Sequence, residues 1–312
     1  MIKIEKYNSS LSNKWNNFVR EAKNGLFFFE RDFMDYHSDR FTDHSLLIFK
    51  GDTILAILPA NEKDDIIYSH QGLTFGSLLM SKKIKVSEVL TIFEEIKTYY
   101  KLLGFSKLIY KAIPYPFVSY PAQEDLYALF RNNAKLIRRD ISSIIELNNK
   151  IEFSSSKKNQ VNKLTKLGFS IKEEKDYTSF WELLNYILLK HHNVQSVHTL
   201  EEISLLANRK PNNVKLFTLT DEAELLAGIV VFIFGDLVHT QYMSNSDNGR
   251  KRGALSFINY YLINEVFKNK KYYSFGISTE NNGQFLNEGL ISQKEEMGAR
   301  GICLDTYEMN LL

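Results

Sequence analysis

Residues 237–255 read LVHTQYMSNSDNGRKRGAL, an apolar run that leads through a polar, basic turn into a second apolar segment. The pattern predicts a strand over 237–243 and a helix over 253–269. Backbone N–H groups at the beginning of a helix point outward and favour anions, and the three basic residues of the turn strengthen that field. The stretch therefore predicts an anion-binding turn between a strand and a helix. The alternative is a solvated basic turn that only caps the helix.

Strands and helices alternate on both sides of this stretch. Apolar runs on either side of Asp221 and Glu222 predict a hairpin, and Thr199 has the position of a helix cap. The predicted strands of this half are 169–172, 214–220, 225–234, 272–277 and 299–309. The predicted helices are 177–192, 199–206 and 284–297. A mixed α/β domain follows from this order.

The first half of the chain shows the same order of elements. Its predicted strands are 2–7, 45–50, 53–60, 66–69, 107–113 and 136–147, and its main helices are 87–103 and 124–132. The hairpin turns near 51 and 222 lie 171 residues apart, and the helix starts near 87 and 253 lie 166 residues apart. A nearly constant offset predicts a duplicated unit, with two unrelated α/β domains as the alternative. We expect domains over 1–150 and 151–312, joined by a hydrophilic linker near 148–159.

Composition excludes several classes of protein. Apolar residues make up 44% of the 312 residues and charged residues 24%, which is typical of a folded globular chain. The 39 basic and 37 acidic residues give a net charge of +2, which argues against a nucleic-acid partner. Cys303 is the one cysteine, so no intramolecular disulfide is possible. The N-terminus lacks the apolar core of a signal peptide, and the longest apolar run, 225–234, is too short to span a bilayer. We expect a cytoplasmic protein.

The common catalytic motifs are absent. The sequence contains no P-loop, no dinucleotide-binding glycine motif after its first strand, no zinc-protease motif and no serine-hydrolase elbow. The spacing of His191, His192 and His198 is poor for a metal, so we expect no metal site. Two hypotheses remain: an enzyme that joins two substrates without a covalent nucleophile, or a protein that only binds.

Three segments carry a resemblance to a known group of proteins. They are 69–76 (SHQGLTFG), 191–202 (HHNVQSVHTLEE) and 276–300 (GISTENNGQFLNEGLISQKEEMGAR). Together with the element order, they resemble the tandem-GNAT acyltransferases, in particular the FemAB-like group. The resemblance implies two tandem GNAT-like α/β domains with an interdomain cleft. It also implies an N-acyltransferase that uses acyl-CoA, such as acetyl-CoA, and an amine acceptor such as an amino sugar or a cell-envelope precursor.

The resemblance also suggests where the acyl donor binds. In the GNAT pattern an Arg or Gln, two residues, a Gly, one residue and a Gly or Ala hold the pyrophosphate, and Arg250 and Gly253 match while Leu255 departs. The preceding strand holds the pantetheine arm. The expected donor-binding residues are Gln241, Ser244, Arg250, Lys251, Arg252, Gly253 and Ala254. The corresponding segment of the first domain, 81–86, has no glycine, so we expect its donor site to be degenerate.

Polar groups at strand ends supply the candidates for catalysis and for acceptor binding. Glu280 is the first candidate for the general base, His192 and His198 are the others, and Tyr242 is the candidate for the acid that protonates the thiolate. The expected acceptor-binding residues are His70, Gln71, Thr74, Ser278, Thr279 and Asn281. For Ser278, Thr279 and Asn281 the alternative is capping of the following helix.

Two further functions stay open at this point. One is transfer of an amino acid from aminoacyl-tRNA, as in FemAB-type enzymes, although the sequence lacks the long charged helical arm that these enzymes carry. The other is a non-catalytic ligand-binding protein in which both donor sites have decayed, which the departure at Leu255 makes conceivable.

Overall fold

The computed structural model describes residues 2–312, with the side chain of His192 outside the description. The chain forms two compact units. The first unit runs up to Asp140 and takes up the chain again from Cys303 to Leu312, and the second unit is Ile141–Ile302. The division therefore falls inside a strand and not near residue 150, and the last residues return to the first unit. The expected linker at 148–159 leads into a helix at Ser155–Lys166 that buries Val161 and Leu164 in the second unit.

The first unit contains four α-helices and strands of unequal length. Its strands are β1 (Ile2–Lys6), β2 (Thr42–Asp43), β3 (Leu46–Lys50), β4 (Thr53–Leu58), β5 (Asn61–Lys63), β6 (Ile66–Tyr68), β7 (Leu79–Met80), β8 (Lys107–Lys111) and the beginning of β9 (Lys135–Glu146). Its helices are α1 (Ser12–Glu21), α2 (Arg31–Met34), α3 (Val86–Leu102) and α4 (Glu124–Arg131). The strand predicted near 66–69 is one arm of the short hairpin β5–β6.

Two sheets shape the first unit. One is antiparallel in the order β1-β3-β4-β7. In the other, β8 pairs in parallel with β6, and β5 and β2 follow in antiparallel fashion. The apolar face of α3 packs on this core through residues such as Ile92, Phe93 and Ile96, which are fully buried because they recur at helical spacing.

The second unit carries the rest of the chain. Its helices are α5 (Ser155–Lys166), α6 (Thr178–His192), α7 (Leu200–Arg209), α8 (Asp247–Arg252), α9 (Ala254–Tyr261) and α10 (Glu288–Glu296). Its strands are β10 (Ile171–Glu174), β11 (Val214–Asp221), β12 (Glu224–Phe234), β13 (Leu237–Asn245), β14 (Tyr272–Ile277), β15 (Thr279–Glu280), β16 (Phe285–Leu286) and the beginning of β17 (Arg300–Asn310), whose later residues pair with β8 in the first unit. One turn of π-helix, Leu262–Val266, extends α9.

The sheet of the second unit runs β10-β11-β12-β13-β14-β9. All neighbours are antiparallel except β13 and β14, which are parallel. Strand β12 is buried over nearly its whole length, as its continuous apolar run predicts. The predicted hairpin at Asp221 and Glu222 is confirmed, as is the cap at Thr199, whose hydroxyl accepts from the backbone N–H of Glu202.

Two predicted helices begin elsewhere. The helix expected at 253–269 starts at Asp247, because Ser246 caps it, and it breaks at Gly253, whose φ is +78°. The helix expected at 284–297 starts at Glu288, since Asn287 is its cap and β16 takes up the preceding residues. None of the helices in residues 2–312 is long and apolar enough to cross a membrane.

Candidate functional site

Strands β13 and β14 of the second unit diverge. They pair in parallel at three positions, the last of which joins His239 to Ser274. Strand β13 then continues to Asn245 and β14 to Ile277 with no further pairs between them. The register with β12 shifts where Val230 faces Tyr242 and Val231 faces Thr240, so that Gln241 is an extra residue. A bulge bends its strand, and the bend leaves the backbone of 240–245 open on the side of β14.

Tyr242 and His198 form a hydrogen-bonded pair beside this opening. The Nδ1 atom of His198 lies 2.5 Å from the Tyr242 hydroxyl. Trp181 of α6 packs edge-on against the Tyr242 ring, with 5.0 Å between centroids, and its Nε1 donates to the carbonyl of His198 at 3.2 Å. Burial raises the pKa of Tyr242 to about 12, so the phenol is protonated at neutral pH. The structure thus joins two residues that the sequence suggested separately.

Ser244 lies two residues further along β13. Its side chain is 3% exposed, and its hydroxyl has no hydrogen-bond partner within residues 2–312. Buried polar groups normally have a partner, so a hydroxyl without one at an open strand edge marks a place where a ligand can bond. Gln241, the bulged residue, is partly exposed next to it.

A buried lysine at the end of β14 was missed by the sequence reasoning. The ammonium of Lys294 donates to the carbonyls of Gly276 and Ile277, at 3.0 and 2.7 Å, and to the Ser278 hydroxyl at 2.8 Å. The residue is 2% exposed, and burial lowers its pKa to about 8. No carboxylate in the described part of the chain pairs with Lys294. Nothing local in the sequence separates this lysine from the exposed ones on α10.

His239 occupies the point where the two strands part. Its Nδ1 lies 3.0 Å from the Ser274 hydroxyl. Burial, and then the charge of Lys294, lower the pKa of His239 to about 4, so the imidazole is neutral at pH 7. Gly276 has φ +74°, and a Cβ there would lie 3.3 Å from the imidazole Cε1. The glycine therefore lets the backbone turn close beside the ring.

Glu280 does not stand at a strand-to-helix exit as expected. Thr279 and Glu280 form β15, which pairs with β16 in a small exposed hairpin. The Glu280 side chain is exposed and accepts from the Asn287 amide at 2.7 Å. Asn281 lies in the turn of that hairpin with φ +48°, a conformation that asparagine tolerates. Ser278 is buried on Lys294, so the three polar residues of this segment lie in different surroundings and do not cap one helix.

The basic segment is helical, contrary to the predicted turn. Arg250, Lys251 and Arg252 form the last turn of α8. Arg252 pairs with Asp221 at 2.5 Å, while the guanidinium of Arg250 reaches the ring of His191 at 3.5 Å. Lys251 is exposed and has no ion pair in the part of the chain that the structure describes. Positive charge at this end of a helix is favourable, and it leaves Lys251 and Arg250 facing solvent.

Gly253 and Ala254 join α8 to α9. The left-handed conformation of Gly253 has a packing reason as well as a backbone one, because a Cβ would come within 2.6 Å of the Gln160 side chain. Ala254 is fully buried in the core. The joint is therefore tight, and any ligand must approach it from the exposed side of α8.

The candidate residues of the first unit lie in a braced loop after β6. His70 is buried with φ +63°, and burial lowers its pKa to about 3. The Gln71 side chain is held by the Asn61 amide at 2.8 Å, whereas Thr74 is exposed. The Lys111 ammonium donates to the carbonyls of Gln71 and Leu73. His70 is thus a neutral, enclosed imidazole and not a surface group.

His192, the remaining candidate, ends α6, and its side chain lies outside the described residues. Among residues 2–312, no three His, Cys, Asp or Glu side chains are grouped so that they could hold a metal ion.

No family model matches the sequence, and no curated protein matches it. Solved structures do. A crystal structure of FemX aligns with a TM-score of 0.68 at 10% identity, over 98% of this chain and 97% of that chain. The structure of L-PGS from Bacillus licheniformis aligns with a TM-score of 0.60 at 12% identity, over 95% and 90%. A tandem GNAT protein from the clavulanic acid biosynthesis pathway aligns with a TM-score of 0.53 at 9% identity, over 100% and 99%.

At these identities the similarity concerns the fold. The chain has the tandem-GNAT, FemAB-like α/β fold that its sequence resembles, so the predicted fold class is confirmed. The expected interdomain cleft and the roles of the candidate residues stay predictions.

Proposed function

We propose that the protein is an N-acyltransferase that moves an acyl group from an acyl thioester, acyl-CoA, to an amine acceptor such as an amino sugar or a cell-envelope precursor. The observation that carries the proposal is the divergence of β13 and β14 after His239 and Ser274. An open strand edge inside a sheet offers backbone groups that an extended ligand can pair with as an added strand.

The pantetheine arm of the donor suits this edge. Its two amide groups would pair with the open backbone of 240–245, next to the unsatisfied hydroxyl of Ser244 and the side chain of Gln241. The phosphates would lie by the exposed cations of α8, Arg250 and Lys251, with Arg252 held back by Asp221. Gly253 and Ala254 would contribute by keeping the joint between α8 and α9 compact.

The chemistry needs no covalent enzyme intermediate. The acceptor amine attacks the thioester carbonyl, a C–N bond forms, the C–S bond breaks, and the amine proton leaves. A buried ammonium stabilises negative charge strongly in a low dielectric, so Lys294 is our candidate to support the oxyanion together with backbone N–H groups. Tyr242 is protonated at neutral pH and would give its proton to the departing thiolate, with His198 as the hydrogen-bond partner of its oxygen.

The acceptor is assigned to the remaining polar candidates. Glu280 is exposed and ionised-carboxylate chemistry suits a base, while His198 and His192 are the alternatives. His70, Gln71, Thr74, Ser278, Thr279 and Asn281 stay the proposed acceptor-binding residues. For Gln71 and Ser278 the side chains already have partners, in Asn61 and Lys294. Their part would be to position the backbone around them.

Calorimetric titration of the full chain with acetyl-CoA tests the proposal. We expect saturable binding, weakened by Lys251→Glu because the phosphates lose a cation. Lys82→Glu in the first unit is the matched control, since Lys82 is an exposed lysine beside the start of α3 and should leave the affinity unchanged. Absence of binding at millimolar acetyl-CoA would contradict a CoA donor. Salt-sensitive retention of charged tRNA on a filter would then favour the aminoacyl-tRNA alternative, and failure of both would favour a non-catalytic ligand-binding protein.

Glu280→Gln tests the general base. The variant keeps the size of the side chain and its bond to Asn287, but it cannot take a proton. If Glu280 is the base, turnover falls by about a hundredfold or more, with rescue toward higher pH as free amine becomes available. Donor affinity should not change. Turnover within about threefold of the wild type would move the base to His198 or His192.

A further inference from the structure

Three neighbouring segments of the first unit expose large apolar side chains. Leu102, at the end of α3, is 81% exposed, and Phe130 of α4 is 74% exposed. Leu103, Tyr127, Leu136 and Ile137 are exposed as well. Single exposed apolar residues are ordinary, but six within residues 102–137 form an exception on the surface of the unit.

The three segments pack on one part of the core. Helices α3 and α4 contact each other. Tyr100, just before the end of α3, and Leu129, in the middle of α4, belong to the same buried cluster, and Ala134 packs against that cluster immediately before β9. The exposed side chains therefore project from elements that share a common base. We call residues 97–103, 127–131 and 135–137 the α4 surface.

The charges of the α4 surface are all positive. No acidic residue occurs in 96–107 or in 126–139. Lys97, Lys101 and Lys135 have no ion pair among the described residues, and Arg131 lies over the Tyr127 ring, 5.9 Å from its centroid. The nearest acids on these elements are occupied: Asp125 is buried on Tyr110, and Glu124 pairs with Lys23.

We propose that the α4 surface binds the face of a bilayer that contains anionic lipid. Apolar side chains such as Phe130 and Leu102 would enter the boundary between head groups and acyl chains, while the unpaired cations meet the lipid phosphates. Apolar burial and attraction to anionic lipid are the two contributions that hold peripheral proteins on membranes. A docked protein would find the four cations already unpaired, so no ion pair has to break. The inference goes beyond acyl transfer and does not depend on it.

Co-sedimentation of the full chain with vesicles tests the inference. We compare vesicles of phosphatidylcholine and phosphatidylglycerol with vesicles of phosphatidylcholine alone. Binding is expected only to the former and should weaken as salt rises. Lys135→Glu should lower the partition coefficient about tenfold or more, because a cation near the anionic surface becomes an anion. Phe130→Ser should lower it about tenfold through lost apolar burial.

Leu189→Ser is the matched control, because Leu189 is an exposed leucine on α6 in the second unit. It should bind anionic vesicles as the wild type does. Since Phe130 and Lys135 are exposed, their variants should keep the thermal unfolding of the wild type. The inference is overturned if neither kind of vesicle is bound, or if both kinds are bound equally. It is also overturned if the control loses binding, or if sedimentation velocity shows a dimer that Phe130→Ser dissociates.

Discussion

The two units continue the same strand arrangement in opposite ways. In the first unit, β6 and β8 pair in parallel at three positions. The chain then stays joined, because Ser69 N–H donates to the Ile109 carbonyl and Lys111 N–H donates to the Ser69 hydroxyl, each at 2.8 Å. In the second unit, β13 and β14 also pair at three positions, but β13 then leaves its neighbour. One bond, from the Thr240 hydroxyl to the Ser274 carbonyl at 3.3 Å, closes the point of divergence.

A buried lysine accompanies each arrangement. Lys111 belongs to β8 itself and donates to carbonyls of the loop after β6, whereas Lys294 comes from α10 and donates to carbonyls at the end of β14. Burial lowers the pKa of both lysines to about 8. Similar local chemistry thus serves a closed pair of strands in one unit and an open pair in the other. The difference teaches that the continuation of the strands, and not the polar residues alone, decides where an extended ligand can enter.

The largest expected effect separates the two lysines. Lys294→Met should lower acetyl transfer from acetyl-CoA by about 10²–10³-fold, because an oxyanion donor is removed from a buried site. Lys111→Met, the same substitution in the closed unit, should leave transfer nearly unchanged. Thiol release measures the rate, and donor binding by calorimetry shows that the site is intact. Equal losses in both variants would mean that the lysines only support the fold.

The next effect concerns pH, because the units differ in a buried tyrosine pair. Tyr110 donates to Asp125 at 2.6 Å in the first unit, whereas Tyr273 donates to the neutral amide of Asn259 at 2.8 Å in the second. Burial raises the pKa of Asp125 from 3.8 to about 6. The protonated form is therefore favoured by folding, and this stabilisation is present at low pH and is lost as pH rises from about 4 to 6.

Asp125→Asn should remove that dependence. One pKa unit corresponds to about 1.4 kcal/mol, so the wild type should lose about 3 kcal/mol of unfolding free energy between pH 4 and 7 that the variant does not lose. Denaturant unfolding at a series of pH values measures the difference. Asp39→Asn, at an exposed position, is the control. An identical pH slope in Asp125→Asn and the wild type would refute the assignment.

A somewhat smaller effect tests the pair beside the open strand. Tyr242→Phe removes the hydroxyl that lies on His198, so turnover should fall about a hundredfold if the phenol protonates the thiolate. The affinity for acetyl-CoA should be retained. Tyr261→Phe, at an exposed tyrosine on α9, should behave as the wild type. A normal rate in Tyr242→Phe would remove the acid from the proposed mechanism.

The smallest effect compares two serines. Ser244→Ala removes a hydroxyl without a partner at the open strand, so it should weaken acetyl-CoA binding about fivefold and leave stability unchanged. Ser69→Ala removes the bond from Lys111 N–H that keeps the first unit closed, so it should cost about 1 kcal/mol of stability and leave donor affinity unchanged. Calorimetry and thermal unfolding distinguish the two outcomes. Exchanged behaviour of the variants would reverse our reading of which strand pair is open.

The sequence by itself determined the order of elements and the fold class. The apolar run of β12, the hairpin at Asp221 and Glu222 and the cap at Thr199 were predictable because each depends on residues within a few positions of one another. Strand β14 was predicted with the bounds that the structure has, Tyr272–Ile277. Charge and aromatic composition likewise belong to the sequence, so the acid-free stretch 126–139 could be read without coordinates.

Tertiary structure alone decided the site. Tyr242 meets His198 from a different element, Lys294 becomes buried only because α10 folds over the end of β14, and β13 leaves β14 because of a bulge at Gln241. Glu280 was misplaced because its hairpin depends on pairing with Phe285, and the division of the chain was misplaced because β17 returns to the first unit. Each of these features joins residues far apart in the chain. Local patterns do not encode such contacts, whereas packing and hydrogen bonding between elements create them.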